Sequence, residues 1–355
     1  MLNAKQIKLL FEVAVEKGAS DIHLTESRGP ILRISADLIE LKEFGKLSEE
    51  DTKLVALGLM NEVNKSKFEK DKEVDFAYDF EQKARFRVNV FWQRQKIALA
   101  LRLISPKIRT LEELNLPPVF KRFTEAKQGL VLITGASSQG KSTTLASLLD
   151  SINHQRKEHI VTIEDPIEYI FEDDLSIIQQ REVHQDTLSF ANALRSVLRE
   201  DPNVIMVGEM RDLETISTAI TAAETGHLVF ATLHTNSASQ TIHRIIDVFP
   251  PHQQGQIKAQ TASALLGVVS QRLLPTKGGG FMPACEIMLA SPAVRNLIRE
   301  NRIHEIPAIV ETSSKEGMIS MNQYLVKLVK EGLVTKETAL FYSLSPDDLL
   351  PRLGR

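Results

Sequence analysis

The sequence predicts an α/β protein in two parts, a smaller α+β region followed by a larger region in which strands and helices alternate. From residue 129 onward, short apolar runs alternate with helix-compatible segments, which is typical of a parallel sheet with helical crossovers. Before residue 105, two neighbouring runs repeat apolar residues at every second position, which indicates an antiparallel hairpin. The third observation is a glycine-framed loop between the first strand and the first long helix of the larger region.

The smaller region begins with a predicted helix over residues 5–17, which places apolar residues at helical spacing and stops at Gly18. Short strands are predicted at 21–25 and 31–35. A second helix is predicted from 48 to about 63.

Two alternating runs, 84–91 and 96–104, complete the smaller region. Period two places the apolar residues of the first run on one face and Arg85 and Arg87 on the other, while Arg102 lies opposite the leucines of the second run. If the two runs pair, one polar face presents a cluster of arginines. From the residues alone, a solvated basic face is the default interpretation of this cluster.

The predicted domain boundaries follow from these patterns. Residues 1–104 form an N-terminal domain, and the proline-containing stretch 105–118 is a linker. Residues 119–355 form the second domain, which becomes mostly helical beyond about residue 290.

Composition excludes several classes of protein. The 43 basic and 46 acidic residues nearly cancel, so we expect no nucleic-acid partner. A single cysteine, Cys285, excludes an internal disulfide framework and a multi-cysteine zinc site. No apolar stretch approaches the length of a membrane span, and the N-terminus does not resemble a signal peptide. We therefore expect a cytoplasmic protein that meets a membrane only through partners.

The loop "GASSQGKS" has the frame of a phosphate-binding loop, with a strand before it and a helix after it. Its backbone N–H groups would surround the β-phosphate of ATP, Lys141 would contact the β and γ oxygens, and the Ser142 hydroxyl would ligate Mg²⁺. The predicted nucleotide-binding residues are Gly135, Ala136, Ser137, Ser138, Gln139, Gly140, Lys141, Ser142 and Thr143.

Acidic residues and a histidine follow other predicted strands, where ligands of parallel sheets bind. Glu209 follows the apolar run "NVIMVG" and would hold Mg²⁺, partly through water. The stretch Glu164–Glu168 follows "IVTI", and one of its carboxylates could deprotonate the attacking water. His234 lies at the carboxyl end of a third strand, where it could sense the γ-phosphate, while His227 lies at the opposite end.

Several segments occur in the order in which one protein family has them: "SDIHLT", "RFRVNVF", "IVTIEDPIEYI", "LREDPNVIMVGEMRDLETI" and "AAETGHLVFATLHT". The chain resembles the secretion and pilus traffic ATPases from about residue 5 to 345. This resemblance implies a RecA-like P-loop ATPase domain preceded by a smaller α+β PAS-like N-terminal domain. It also implies a hexameric ring in which the nucleotide lies between the two domains.

The resemblance also implies roles for individual residues. Arg87 and Arg102 correspond to N-terminal arginines that reach the phosphates, and Glu209 to the Walker B carboxylate. Glu168, in the family's Asp box, is favoured as the general base, and His234 belongs to the His box. These five residues are the predicted catalytic set.

Two features favour the retraction branch of the family. Assembly and secretion members typically carry a four-cysteine zinc module, which a single cysteine excludes. The segment "AVRNLIRE" at 293–300 is similar to one that retraction members carry. The resemblance implies an ATPase (ATP + H2O to ADP + phosphate) that powers type IV pilus retraction and twitching motility. Its partners would be copies of itself and an inner-membrane platform protein at the base of the pilus, with a paralogous retraction ATPase left open.

Ser138 and Gln139 depart from the family pattern, which has Gly and Ser at these positions. If the loop needs a positive φ at Ser138, the strain is about 1–2 kcal/mol. One alternative is therefore an accessory paralogue with weak hydrolysis, and another is a pilus assembly or type II secretion ATPase.

Overall fold

The structure, a computed structural model, describes residues 3–34, 37–81, 83–104 and 107–354. These residues group into two compact units. The first unit comprises the described residues up to Lys107 together with Asp165–Ile170, and the second comprises Ile108–Glu164 and the described residues from Phe171 onward. The sequence patterns do not predict that Asp165–Ile170 groups with the first unit.

The first unit is an antiparallel sheet with helices packed on it. Its described helices and strands are α1 (Ala4–Glu16), β1 (Asp21–Leu24), β2 (Ile31–Ile34), β3 (Asp37–Glu40), α2 (Glu49–Leu59), α3 (Glu62–Asp71), β4 (Glu73–Phe80), β5 (Ala84–Gln93) and β6 (Lys96–Ile104). In the described part of the unit, these strands form one sheet in the order β3-β2-β1-β6-β5-β4. Residue 35, the last of the predicted second strand, lies outside the described residues.

The predicted hairpin is present as β5 and β6, joined at Arg94 and Gln95. Both turn residues have positive φ, 47° and 65°, which is the two-residue turn that matches the twist of antiparallel strands. Phe86 and Val88 of β5 are fully buried, so the alternating pattern correctly predicts the core face of this strand.

The single helix predicted over residues 48–63 is wrong. The structure has two helices, because α2 ends at Leu59 and the Asn61 side chain accepts a hydrogen bond from the Asn64 amide at the start of α3. The alternating strand β4, which the sequence patterns above do not predict, follows α3 and pairs with β5.

The second unit is built on a mostly parallel sheet. Its described elements are α4 (Lys121–Glu125), β7 (Gly129–Thr134), α5 (Lys141–Gln155), β8 (His159–Glu164), β9 (Ile177–Glu182), α6 (Phe190–Val197), β10 (Val204–Val207), α7 (Leu213–Glu224), β11 (Leu228–Leu233), α8 (Ala238–Asp247), α9 (Pro251–Ala264), β12 (Leu265–Pro275), β13 (Phe281–Leu289), α10 (Pro292–Arg299), α11 (Ile306–Thr312), α12 (Met321–Lys330), α13 (Lys336–Tyr342) and α14 (Pro346–Leu349). Within these residues the strand order is β13-β12-β7-β11-β10-β8-β9, and β13 alone runs antiparallel to its neighbour.

The central strands of this sheet are covered on both faces, which explains their continuous apolar sequences. Alternate residues of β10 belong to two separate hydrophobic clusters, with Ile205 and Val207 in one, and Val204 and Met206 in the other. The α/β fold class predicted from the sequence is therefore confirmed. Among the described helices, none combines the length and apolar content that crossing a bilayer requires.

Candidate active site

The phosphate-binding loop occupies residues 135–140, between the end of β7 and the start of α5. Gly135 has φ 144°, and a Cβ at this position would lie 2.4 Å from the main-chain oxygen of Gln271 on β12. Gly140 has φ 78°, and its Cβ would lie 2.9 Å from Nε2 of the same Gln271. The two glycines of the motif are therefore required both by backbone conformation and by the close approach of β12.

Ser138 lies in the left-handed region, with φ 62°. A glycine adopts this conformation without steric cost, whereas a serine is strained by about 1–2 kcal/mol. The loop thus keeps a turn that suits glycine although the sequence has serine there. Ser138 and its neighbours Ala136 and Ser137 are exposed to solvent.

Lys141 is the first residue of α5 and is largely buried. Its Nζ donates hydrogen bonds to the main-chain oxygens of Gly135 and Ala136, both at 2.8 Å. The ammonium group therefore lies against the loop. Ser142 follows in the first turn of the helix and is exposed, and the first N–H groups of any helix lack an acceptor within that helix. A helix N-terminus with an adjacent cation is suited to bind an anionic phosphate.

Glu209 follows β10 and is the centre of a small charged cluster. Its carboxylate lies 2.7 Å from the guanidinium of Arg211 and 3.1 Å from Nε2 of His234, which follows β11. Burial alone would raise the pKa of Glu209, but the hydrogen bond from Arg211 and the nearby His234 lower it below the ordinary carboxyl value. Two predicted site residues from different strands, Glu209 and His234, are thus brought together, and the Glu209 carboxylate is ionised at neutral pH.

Glu164 ends β8 and is mostly buried beside β10. Its Oε1 accepts hydrogen bonds from the Thr162 hydroxyl at 2.6 Å and from Nε2 of Gln180 at 3.2 Å. A Cβ on Gly208 would lie 3.4 Å from the Glu164 Cα, so glycine allows the two strand ends to approach closely. Glu164 therefore lies at the same carboxyl edge of the sheet as Glu209.

Glu168, the predicted general base, belongs to the first unit. Its Oε1 lies 3.5 Å from a guanidinium nitrogen of Arg87, and the same guanidinium lies 3.6 Å from Asp75. Arg102 lies directly across the hairpin from Arg87, and its Nε donates to Asp21 at 3.1 Å. The structure thus brings Glu168, Arg87 and Arg102 into one unit, each arginine beside at least one carboxylate.

His227 lies at the other end of β11, as the sequence predicts. Its Nδ1 lies 2.9 Å from the main-chain oxygen of Ala222, in the last turn of α7. From its position at this end of the strand, His227 is expected to lie at a subunit contact or to be structural, and this contact with a carbonyl at a helix C-terminus favours the structural role.

Gln271 is a site residue that is absent from the set predicted from the sequence. It lies on β12, is 2% exposed, and contacts both the phosphate loop and α5. Its Nε2 donates to the Gln139 main-chain oxygen at 2.7 Å, and its Oε1 accepts from the Thr144 hydroxyl at 2.8 Å. The sequence carries one signal for Gln271, which is its place inside the mostly apolar run "LLGVVSQRLL". A polar side chain in a buried strand needs hydrogen-bond partners, and here they are the loop and α5.

A mostly parallel sheet with a phosphate loop after one strand, and with carboxylates after two other strands at the same edge, defines a P-loop ATPase with a RecA-like domain. Residues 3–335 match the family described as type II/IV secretion system protein. The chain belongs to this family.

Individual relatives indicate which members of this family the chain is similar to. The chain is 44% identical over 330 residues to the type IV pilus retraction ATPase PilT of Pseudomonas aeruginosa, covering 93% of this chain and 96% of that protein. It is 46% identical over 311 residues to a twitching motility protein of Neisseria gonorrhoeae, covering 87% and 83% of the two chains. The solved structure of the pilus retraction motor PilT with bound ADP aligns with a TM-score of 0.89 at 48% identity, over 97% of this chain and 99% of that one.

Proposed function

We propose that this chain is an ATP-hydrolysing motor that powers the retraction of type IV pili, and thereby twitching motility. The observation that carries the proposal is the extent of the similarity to retraction ATPases, which covers 93% of the chain in one comparison and 97% in another. Matches of this length include the phosphate loop, the strand-end carboxylates and the arginine hairpin together. The relative of known structure has ADP bound, which supports nucleotide binding here.

ATP would bind with its phosphates at the loop and at the first turn of α5. The Lys141 ammonium, which contacts two loop carbonyls, would turn to the β and γ oxygens. The N–H groups of the loop and of Ser142 and Thr143 would donate to the same phosphates. Charge and directed donors together favour a bound triphosphate.

Mg²⁺ fits the oxygen donors at this edge of the sheet. The Ser142 hydroxyl is exposed at the start of α5, and the Glu209 carboxylate is ionised. Hard oxygen donors of this kind suit Mg²⁺, which keeps several of its waters. When bound there, Mg²⁺ would neutralise charge on the phosphate oxygens.

Hydrolysis needs a base for the attacking water and cations for the charge that develops. The family resemblance assigns the base to Glu168, whereas Glu164 and Glu209 are the carboxylates at the sheet edge. His234, which lies beside Glu209, would respond to the γ-phosphate. Arg87 and Arg102 would stabilise the transferred charge after exchanging their carboxylate partners for phosphate oxygens.

The proposed assembly is a homohexameric ring at the cytoplasmic side of the inner membrane, at the base of the pilus. Hydrolysis would change the conformation of each subunit and so perform work on a platform protein in the membrane. A paralogous retraction ATPase would be a further partner in a host that has one.

A second candidate is an accessory paralogue that binds ATP but hydrolyses it slowly, and the pair Ser138 and Gln139 is the feature that favours it. The strain of a left-handed serine is about 1–2 kcal/mol, which a folded domain can absorb. Because Ser138 still adopts the conformation of a glycine, the loop keeps its turn. This observation supports the working motor over the accessory subunit.

The proposal is tested by deleting the gene in its host and complementing with the parent, with Lys141→Ala, or with Lys157→Ala. Lys157 is an exposed lysine just after α5 and serves as the matched control. We expect deletion to abolish surface motility while pili are retained or become more numerous. The parent and Lys157→Ala should restore motility, and Lys141→Ala should not.

Two results would contradict the proposal. Loss of pili on deletion would indicate an assembly ATPase, and unchanged motility would indicate an accessory subunit or a different filament.

A further inference from the structure

Gln139 contacts β12 through both its side chain and its main chain. Its Oε1 accepts a hydrogen bond from the Leu273 amide at 2.7 Å, and its main-chain oxygen accepts one from Nε2 of Gln271, also at 2.7 Å. Both acceptors of Gln139 are therefore directed at the neighbouring strand. Resemblance to the family suggests serine at this position, so this contact is a feature of this chain's own loop.

The Leu273 amide is accessible to the loop because β12 is longer than β7. The two strands pair as far as Thr134 and Ser270, and β12 then continues to Pro275 with β13 on its other side. Beyond Ser270, the edge of β12 that faced β7 faces the loop instead. The Gln139 carboxamide thus accepts a hydrogen bond that a neighbouring strand would otherwise accept from this edge of β12.

Hydrogen bonds also connect Gln139, through Gln271, to the helix that follows the loop. Gln271 is buried, and its carboxamide joins the Gln139 main chain to the Thr144 hydroxyl in the first turns of α5. A buried amide that is hydrogen-bonded at both its nitrogen and its oxygen holds its neighbours in one arrangement. The loop is consequently fixed from β12 on one side and from α5 on the other.

Ser138, the residue before Gln139, has the strained left-handed conformation. A strained residue persists only where the surrounding structure holds it. Gln139 is the adjacent residue and carries two hydrogen bonds to β12, so its position restricts the backbone of Ser138. A serine at 139 would be too short to place an acceptor where the carboxamide oxygen lies and could not accept from Leu273 in the same way.

We propose that Gln139 is a positioning residue for nucleotide binding, which holds Ser138 and the loop N–H groups in the phosphate-binding conformation by its attachment to β12. The proposal rests on the proposed function, because it concerns the same ATP site. Ser138 and Gln139 then act as a coupled pair. Ser138 introduces strain into the loop, and the hydrogen bonds of Gln139 to β12 offset that strain.

The test compares Gln139→Met, which keeps the unbranched length without the carboxamide, in the parent and in a Ser138→Gly background. Losing one such hydrogen bond should raise the Kd for ADP and the KM for ATP about fivefold, with kcat within about twofold. In the Ser138→Gly background, where strain is absent, the same change should raise both by less than about twofold. Gln155→Met, at the exposed end of α5, is the matched control and should bind ADP like the parent.

Each other outcome decides against the proposal. Unchanged ADP affinity in Gln139→Met, an equal loss in both backgrounds, or a fall in kcat at constant KM would overturn it. If Gln139→Met does not fold, as judged by its thermal unfolding without nucleotide, Gln139→Ser takes its place with the same expected values. A parent that binds no ADP at all would contradict the proposed function itself, which separates that failure from this one.

Discussion

The two sheets of the molecule hold their charged residues in different ways. In the second unit, Lys141 and Glu209 lie at the carboxyl edge of a buried parallel sheet, and their contacts are with the loop and with the next strand end. In the first unit, Arg87 and Arg102 lie on the polar face of an antiparallel hairpin, and their contacts are with carboxylates. The hairpin therefore pairs its cations with carboxylates of the same unit, whereas the parallel sheet gathers its charged groups at one common edge, where Glu209 is paired with Arg211 and His234.

This difference suggests a division of work between the units. In the proposed motor, the parallel sheet would bind nucleotide with groups that already lie at one edge, among them Lys141 beside the loop. Under this proposal, the arginines of the hairpin would exchange a carboxylate for a phosphate; they are partly exposed and paired, and since surface ion pairs contribute little to stability, this exchange would cost little. Binding should therefore depend on the second unit, and the rate of hydrolysis on both units.

Of the substitutions that test this division of work between the units, Glu209→Gln is expected to have the largest effect on the rate of hydrolysis. In the proposed site the ionised carboxylate of Glu209 would hold Mg²⁺, partly through water, so removing its charge should lower kcat roughly 100-fold or more. The measurement is steady-state phosphate release. Glu214→Gln, a glutamate that is likewise paired with an arginine but lies on α7, is the control and should retain the parent rate. Equal rates in the two variants would remove Glu209 from the site.

A smaller effect is expected for Arg102→Ala. Loss of one cation that stabilises the transferred charge should lower kcat about tenfold or more while the Kd for ADP changes less than about twofold. Arg33→Ala is the matched control, because Arg33 also lies beside Asp21 but on β2. If both variants keep the parent kcat, the hairpin arginines take no part in hydrolysis and the division of work is wrong.

The smallest effect concerns pH. The pKa of Glu209 in the folded protein is below its ordinary value, so the ionised carboxylate stabilises the fold above about pH 4.3 and loses this contribution as the pH falls through the lower value. Glu209 is partly exposed, so we expect less than about 1 kcal/mol. Thermal unfolding should show Glu209→Gln slightly less stable than the parent at pH 7, with the difference shrinking as the pH falls below about 4.3. A difference that grows on acidification would contradict this sign.

Much of the fold follows from local sequence. The strand and helix around the phosphate loop are predicted by a buried apolar run and by the frame Gly135 to Gly140, since backbone conformation at those glycines is a local property. The β5–β6 hairpin is predicted equally well, because one alternating face is buried. Arg87 and Arg102 are then neighbours by register alone.

What the sequence does not predict depends on contacts between distant residues. Gln271 and Gln139 are 132 positions apart, so no local pattern shows that a polar residue inside β12 supports the loop. The β12–β13 hairpin escapes prediction for the same reason, since Gly267 and Gln271 interrupt its apolar run and have roles only in the folded sheet. The grouping of Glu168 with Arg87 is likewise a tertiary contact.

Steady-state phosphate release by the purified chain, with Mg²⁺ and saturating ATP and with Lys141→Ala as the blank, tests whether this protein is a motor. We expect clear turnover by the parent and a loss of at least about 100-fold in the variant, because Lys141 is the cation of the phosphate loop. A parent whose rate does not exceed that of Lys141→Ala would contradict the claim that this chain is a motor driven by its own hydrolysis.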